Sequence, residues 1–365
     1  MDTTVATLTE VMRSVSGNPD AVIDDWSSVP AAHRVENMTT HALHHVGATL
    51  TDGTTWRVFA KVLRPASESP VWAEIPEQLR PDVLSELDWL EEPRVYLSGL
   101  GGDLPDPLRL PTIWQVERTP ARVTIWMEEV ADVTPWDADR YHRTALALGA
   151  LAGRWPEARA TSELGFGRRD LDFLFFGKVS QFEIPTLADD ALWDRPPLSE
   201  VADGTVRADL GHLAEAVPML LERQRRVPHG LSHGDATPDN FREPGDDSIV
   251  AVDWSYGSVG PVGSDLAQLV AGRFESGAAD IGDLSWIVPA ILDGYREGLA
   301  REGVSVADLD LETGWATHLA VRSVFSALLL PPSERDPVAH HQLLAKRAAL
   351  SRFGLDLALR VAGRH

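Results

Sequence analysis

The chain has 365 residues, 44% of them apolar, which is enough for one large domain or two lobes with a substantial core, and no segment is long and apolar enough to span a bilayer. A formal net charge of −22 repels phosphate backbones and anionic lipid, so neither nucleic acid nor membrane is expected as a partner; the charge aids solubility and would suit a cationic small ligand. Without cysteine there are no disulfides and no thiolate metal sites, and "MDTTVATLTEVMRSV", with Asp2 early and no basic stretch before an apolar one, does not read as a secretory leader, so a cytoplasmic protein is expected.

In chain order, "VATLTEVMRSVS" (5–16) has helical spacing and stops near "GNPD". From about residue 33 the texture becomes strand-like: "TTHALHHVGATL", the Asp-Gly turn signal "TDGT", and the alternating "TWRVFAKVL" form a hairpin. A helix is expected over "DVLSELDWLEEPRVYLSGL", with Pro93 bending it or sitting in the first turn of a second helical piece. Strands "PTIWQVE" and "RVTIWMEE" follow, joined by "RTPA". After "VADVTPWD" the pattern turns helical: "ADRYHRTALALGALAGRW", then "VRADLGHLAEAVPMLLERQRR" with a kink expected at Pro218. The polar stretch "LSHGDATPDN" (231–240), a short strand "SIVAVDW", the helix "SDLAQLVAGRF" and three further helical segments complete the chain. Strands followed by helices indicate an α+β protein of two lobes, a β-rich one over 1–129 and a helical one over 130–365.

Two scarce residue types single out the chemistry. The chain has three lysines against 30 arginines, and three asparagines. One of those lysines, Lys61, alternates out of an apolar strand, where a compact ammonium on a long stem suits phosphate oxygens. One of those asparagines, Asn240, shares a loop with Asp235, and Asp253 ends the next strand. Read alone, the loop is also an Asx-rich turn shaped by Pro238, Asp253 a strand-end cap, and Lys61 a solvated strand face. Read together, they supply a carboxylate to orient a hydroxyl, oxygen donors for Mg²⁺ and a cation for nucleotide phosphates, the set phosphoryl transfer needs. A partner carboxylate for Lys61 is available at Glu86, Glu91 or Glu92, with Glu92 favoured. The histidines His41, His44 and His45 read as alternating on a hairpin and not as a zinc site.

In these pieces the chain resembles the aminoglycoside phosphotransferase and choline kinase-like family of small-molecule kinases, which share the protein-kinase fold. The matching stretches are "FAKV", "LDWLEEPRVYLSGL", "TIWMEEV", "HGDATPDN", "AVDW" and "GPVGSDLAQL", in that order over residues 35–270. The resemblance implies Asp235 as the catalytic base, Asn240 and Asp253 as Mg²⁺ ligands, and Lys61, paired with Glu92, on the α/β-phosphates of ATP or GTP. It implies His233 and Asp265 as supports of the catalytic loop, and backbone groups from Met127 through Glu128 and Glu129 to Val130 around the adenine. One departure is that no G-x-G-x-x-G precedes Lys61; the corresponding turn lies in "ENMTTHALHH", where Thr39 and Thr40 would cover the phosphates. The expected activity is Mg-assisted in-line phosphorylation of a hydroxyl on a small molecule, most readily an aminoglycoside or other sugar-containing natural product. An amino alcohol, a simple sugar or a nucleoside antibiotic is an alternative acceptor. A nucleotide-binding regulatory protein without catalysis and a metal-dependent hydrolase using His233, Asp235 and Asp253 are alternative functions.

Overall fold

The structure is a computed structural model that describes residues 4–32, 37–331 and 336–363. Asp2, used above against a leader, and the first residues of the stretch matched from 35 lie outside the described residues. The strands are β1 (Ile23–Pro30), β2 (Thr40–Leu50), β3 (Thr55–Leu63), β4 (Leu108–Arg109), β5 (Ile113–Arg118), β6 (Val123–Glu128), β7 (His229–Ser232), β8 (Phe241–Arg242), β9 (Ile249–Ala251) and β10 (Ser258–Pro261). The principal helices are α1 (Val5–Ser16), α2 (Arg80–Glu86), α3 (Glu91–Leu97) and α4 (Ala138–Arg154). Short helices α5 (Glu157–Leu164), α6 (Ile184–Ala188), α7 (Asp190–Trp193) and α8 (Leu198–Val201) follow. The long helices α9 (Gly204–Gln224), α10 (Ser264–Glu275), α11 (Leu284–Arg301), α12 (Asp308–Leu319) and α13 (Pro337–Ala362) account for most of the remainder.

The chain forms two compact units, one from the described residues of 1–103, 109–133 and 242–255, the other from those of 104–108, 134–241 and 256–363. The first is built on a five-stranded antiparallel sheet in the order β1-β2-β3-β6-β5. Period-2 alternation along β3 sends Val58 and Ala60 to one face, where they join Leu8, Val11 and Met12 of α1 and Trp126 of β6 in a closed apolar core. The same alternation sends Lys61 to the opposite face, between Leu43 of β2 and Ile125 of β6. α1 begins at the Thr4 cap, whose side chain accepts from the Thr7 amide, and ends at Gly17 in the left-handed region.

The expected helix over 82–100 divides into α2 and α3. Pro93 falls in the first turn of α3, where a missing N–H costs no intrahelical bond. The strand expected over "SIVAVDW" stops at Ala251, because Asp253 takes φ +59°, outside the β region. β1 carried no strand signal: its exposed residues are mostly polar, with Val29 and Pro30 at its end, and it is an edge of the sheet.

The second unit is helical. α4 and α11 pack closely at glycines: a Cβ on Gly149 would meet the Tyr295 carbonyl oxygen at 2.1 Å, and one on Gly298 would meet that of Leu146 at 2.1 Å. α9 runs through Pro218 and does not end there. The strands β7 and β10 form a two-stranded antiparallel sheet, with Ser232 opposite Ser258, and the stretch 233–240 leaves directly from the end of β7.

Candidate functional site

In the first unit, Lys61 is 5% exposed, a burial that an ammonium tolerates only with compensating carboxylates. Two are present: Nζ lies 2.7 Å from Glu92 Oε2 and 2.8 Å from Asp253 Oδ1. Burial opposes the lysine charge, but the carboxylates of Asp253 and Glu92 outweigh it and raise the pKa. Glu92, 2% exposed, is shifted upward chiefly by burial, against the pull of the Lys61 ammonium. Of the three glutamates weighed above, Glu92 is the one that meets Lys61; Glu91 sits 3.4 Å from Arg94 on the helix surface, and Glu86 closes α2.

One turn beyond Glu92 on the same helix stands Tyr96, 7% exposed, which sequence reasoning passed over. Its hydroxyl donates to Glu92 Oε1 at 3.1 Å and accepts from the Asp253 amide at 3.1 Å. Asp253 Oδ1 also accepts from Ser255 Oγ at 2.8 Å. The i, i+4 spacing of Glu92 and Tyr96 was the available signal.

At the end of β6, Met127 is buried, and the two glutamates after it have committed side chains. Arg109 holds Glu128 through two bonds of 2.7 and 2.9 Å, and the Thr112 amide adds a third at 3.0 Å. Arg57 holds Glu129 at 2.9 and 2.8 Å, with His45 Nδ1 at 2.9 Å from the same carboxylate. These pairs hold both carboxylates below the usual range, through the Arg109 and Arg57 hydrogen bonds respectively. Val130 follows, half-buried. Thr39 and Thr40 are buried at 5% and 4%, and Thr39 donates its amide and hydroxyl to Asn37 Oδ1, both at 2.9 Å. Of the histidines on β2, His44 meets Ser28 Oγ at 3.0 Å and His45 meets Glu129, so each has a different partner.

In the second unit, the loop after β7 is fixed by Asp265 at the start of α10, 4% exposed. Its Oδ1 accepts from Ser232 Oγ at 2.8 Å and the Gly234 amide at 2.9 Å, its Oδ2 from the His233 amide at 3.0 Å. Gly234 must be glycine: its φ is +77°, and a Cβ there would lie 2.0 Å from the Tyr256 carbonyl oxygen. The His233 ring is fully buried, 5.1 Å from Phe241 between centroids. These supports deliver Asp235, whose side chain is 26% exposed. Asn240 Nδ2 donates to the Asp235 carbonyl at 2.8 Å and to Oδ2 at 3.3 Å.

A second residue that the sequence did not flag closes the loop. Arg322, on a π-helical turn (Ala320–Val324), places Nη2 3.0 Å from Asp235 Oδ1 and donates through Nη1 to the Gly234 carbonyl. Its guanidinium lies 5.7 Å from the Tyr256 ring centre, and that of Arg169 lies 4.9 Å from it. Asp239, beside these groups in sequence, is exposed. Trp254, next to Asp253, is wholly buried and donates to the Ala251 carbonyl at 3.1 Å, which makes it core.

Taken separately, each candidate ligand offers an oxygen of the kind a hard divalent cation takes: in the second unit Asn240 commits its N–H groups to Asp235 and leaves its amide oxygen, and in the first Asp253 carries a carboxylate. Among the described residues no helix is long and apolar enough to cross a membrane.

Residues 51–323 match the model of the phosphotransferase enzyme family (APH). Among solved structures, an aminoglycoside phosphotransferase from Alicyclobacillus acidocaldarius is 16% identical, covers 93% of this chain and 92% of its own, and gives a TM-score of 0.52, which shows a shared fold. An ethanolamine kinase from Plasmodium vivax is 11% identical over 90% and 83% of the two chains with a TM-score of 0.47. The choline kinase LicA from Streptococcus pneumoniae is 14% identical over 96% and 99%, with a TM-score of 0.39. No curated protein sequence matches. With the family model spanning most of the chain on an α+β fold of the kinase-like type, the protein belongs to the phosphotransferase enzyme family and is a small-molecule phosphotransferase.

Proposed function

We propose that the protein transfers the γ-phosphoryl group of ATP to a hydroxyl of a small molecule, with an aminoglycoside or other sugar-containing natural product as the acceptor. The observation that carries this reading is the Asp235 loop: a carboxylate held by Arg322 and Asn240 on a backbone fixed by Asp265. Asp235 orients the acceptor hydroxyl for in-line attack and takes its proton as the bond to the γ-phosphorus forms and the bond from that phosphorus to the β–γ bridging oxygen breaks, releasing ADP. Its ion pair with Arg322 keeps the carboxylate aimed for that role. Lys61 contacts the α/β-phosphates, steadied by Glu92, and the Met127–Val130 backbone receives the adenine. Glu128 and Glu129 keep their charges away from the nucleotide by their pairs with Arg109 and Arg57.

Asn240 and Asp253 would hold Mg²⁺, which when bound neutralises charge on the phosphates. The unit that holds Lys61, Glu92 and Asp253 then acts as the nucleotide-binding part, and the unit that holds Asp235 carries the catalytic loop and the acceptor site. The reading is also supported by similar proteins: an amicoumacin kinase was solved with AMP-PNP and Ca²⁺, and a spectinomycin phosphotransferase with ADP and spectinomycin. With an antibiotic as acceptor, the protein would be a cytoplasmic resistance enzyme.

The test is incubation with Mg-ATP and a panel of aminoglycosides, other sugars, amino alcohols and nucleoside antibiotics, followed by mass detection of an added phosphate. Transfer to a panel member that disappears in Asp235→Ala supports the reading. ATP binding with no transfer to any acceptor class points to the regulatory alternative, and phosphate release from esters without ATP points to a hydrolase.

A further inference from the structure

We propose that Tyr96 is the positioning residue for Asp253, keeping that aspartate in place while Lys61 exchanges it for the nucleotide phosphates; the inference rests on the phosphotransfer reading above. Four groups close a ring within the first unit. The Asp253 amide donates to Tyr96 Oη, the Tyr96 hydroxyl donates to Glu92 Oε1, and Lys61 Nζ bridges Glu92 Oε2 and Asp253 Oδ1. Beside its bond from Ser255 Oγ, Asp253 is tethered through its carboxylate to Lys61 and through its backbone to Tyr96.

The two tethers differ in what nucleotide binding does to them. The Lys61 ammonium is the group required at the phosphates, and the Asp253 carboxylate is the group required at the cation, so their contact is traded for ligand contacts. The amide of Asp253 meets neither ligand, and its bond to Tyr96 persists. The backbone needs that bond. Asp253 lies beyond the last ladder residue of β9, Ala251, with φ +59°, a conformation uncommon for a non-glycine residue, though aspartate adopts it more readily than most, and one that a bond to its amide helps to fix. A hydroxyl is suited to the place, because it accepts from the amide and donates to Glu92 at once. Phenylalanine would fill the same volume and leave both the amide and Glu92 Oε1 without this partner.

The test uses the full chain with a fluorescent ATP analogue, titrated with MgCl₂ and separately in EDTA. Tyr96→Phe should bind the analogue in EDTA within about twofold of the parent, since Lys61 is retained, yet need about tenfold more Mg²⁺ to reach half of the metal-induced gain in affinity. Asp253→Asn serves as the control that abolishes the gain. A Tyr96→Phe titration that overlays the parent, while Asp253→Asn loses its response, would overturn the role of Tyr96 and leave the phosphotransfer reading intact. A parent protein with no Mg²⁺ response would overturn that reading and the inference with it. Amide hydrogen exchange at Asp253 in the parent gives a second check that needs no variant. Protection both without ligand and with Mg²⁺ and the analogue is expected, and loss of protection on binding contradicts the proposal.

Discussion

Arg322 and Asp235 lie 87 residues apart in sequence, and their side chains meet at 3.0 Å. The same guanidinium bonds the Gly234 carbonyl, so one side chain fixes both the carboxylate and the peptide that precedes it. Lysine cannot reproduce this forked contact. Arg322→Lys should therefore lower kcat by about 10- to 100-fold with little change in nucleotide affinity, as expected when a reacting group is held less well. Steady-state kinetics with the acceptor found by mass screening checks the split; an equal loss of nucleotide binding would contradict it.

Lys61 is a buried cation shared by two carboxylates, and removing it takes the ammonium from both. Lys61→Met should destabilise the protein by about 3–5 kcal/mol, the scale for breaking a buried ion pair from one side, and also weaken ATP binding. The double variant Lys61→Met/Glu92→Leu, which removes a buried charge from each side, should recover part of that stability without recovering ATP binding. Urea unfolding and nucleotide titration of the single and double variants measure the two effects separately.

Asp265 bonds two successive loop amides and the Ser232 hydroxyl. Asp265→Asn replaces an acceptor-only group with one that must turn a donor toward an amide, costing about 1.5–3 kcal/mol in stability. Turnover should fall with it, because the amides lost are those that shape the peptide leading to Asp235. Unchanged thermal stability and kcat would contradict the role.

His318, on α12, is 9% exposed, and its Nε2 has no hydrogen-bond partner among the described residues. Burial, aided by the Arg322 charge, pushes its pKa down to about 3 from the ordinary 6.5. Between those values the unfolded chain binds the proton and the folded one does not. Its contribution is therefore intact above pH 6.5 and is lost as the pH falls from 6.5 toward 3. His318→Gln should flatten the fall in melting temperature between pH 6.5 and 4.5 relative to the parent, measured by thermal unfolding across that range; parallel curves would contradict it.

Much of the arrangement was written locally in the sequence. Lys61 was legible because strand alternation and the scarcity of lysine both marked it, and the spacing of Asp235 and Asn240 reflects one turn of loop. Pro93 foretold the break that gives α3 its own start and brings Glu92 to Lys61. What escaped was what depends on tertiary approach. Arg322 belongs to a stretch that reads as ordinary helix, and nothing near it in sequence shows that a carboxylate waits beside it. Tyr96 reads as a core aromatic until the Asp253 amide is seen turned toward its hydroxyl. The polar edge strand β1 lacked the apolar alternation that betrays a strand, since an edge exposed to solvent does not require it.

On the proposed function, Asp235 orients the hydroxyl that receives the phosphoryl group. The most direct measurement compares phosphate transfer from Mg-ATP by the parent and by Asp235→Ala, read by mass on the acceptor, alongside the affinity of each for a fluorescent ATP analogue. Transfer by Asp235→Ala should fall about a thousandfold with nucleotide affinity largely retained; transfer at the parental rate would overturn the role of Asp235.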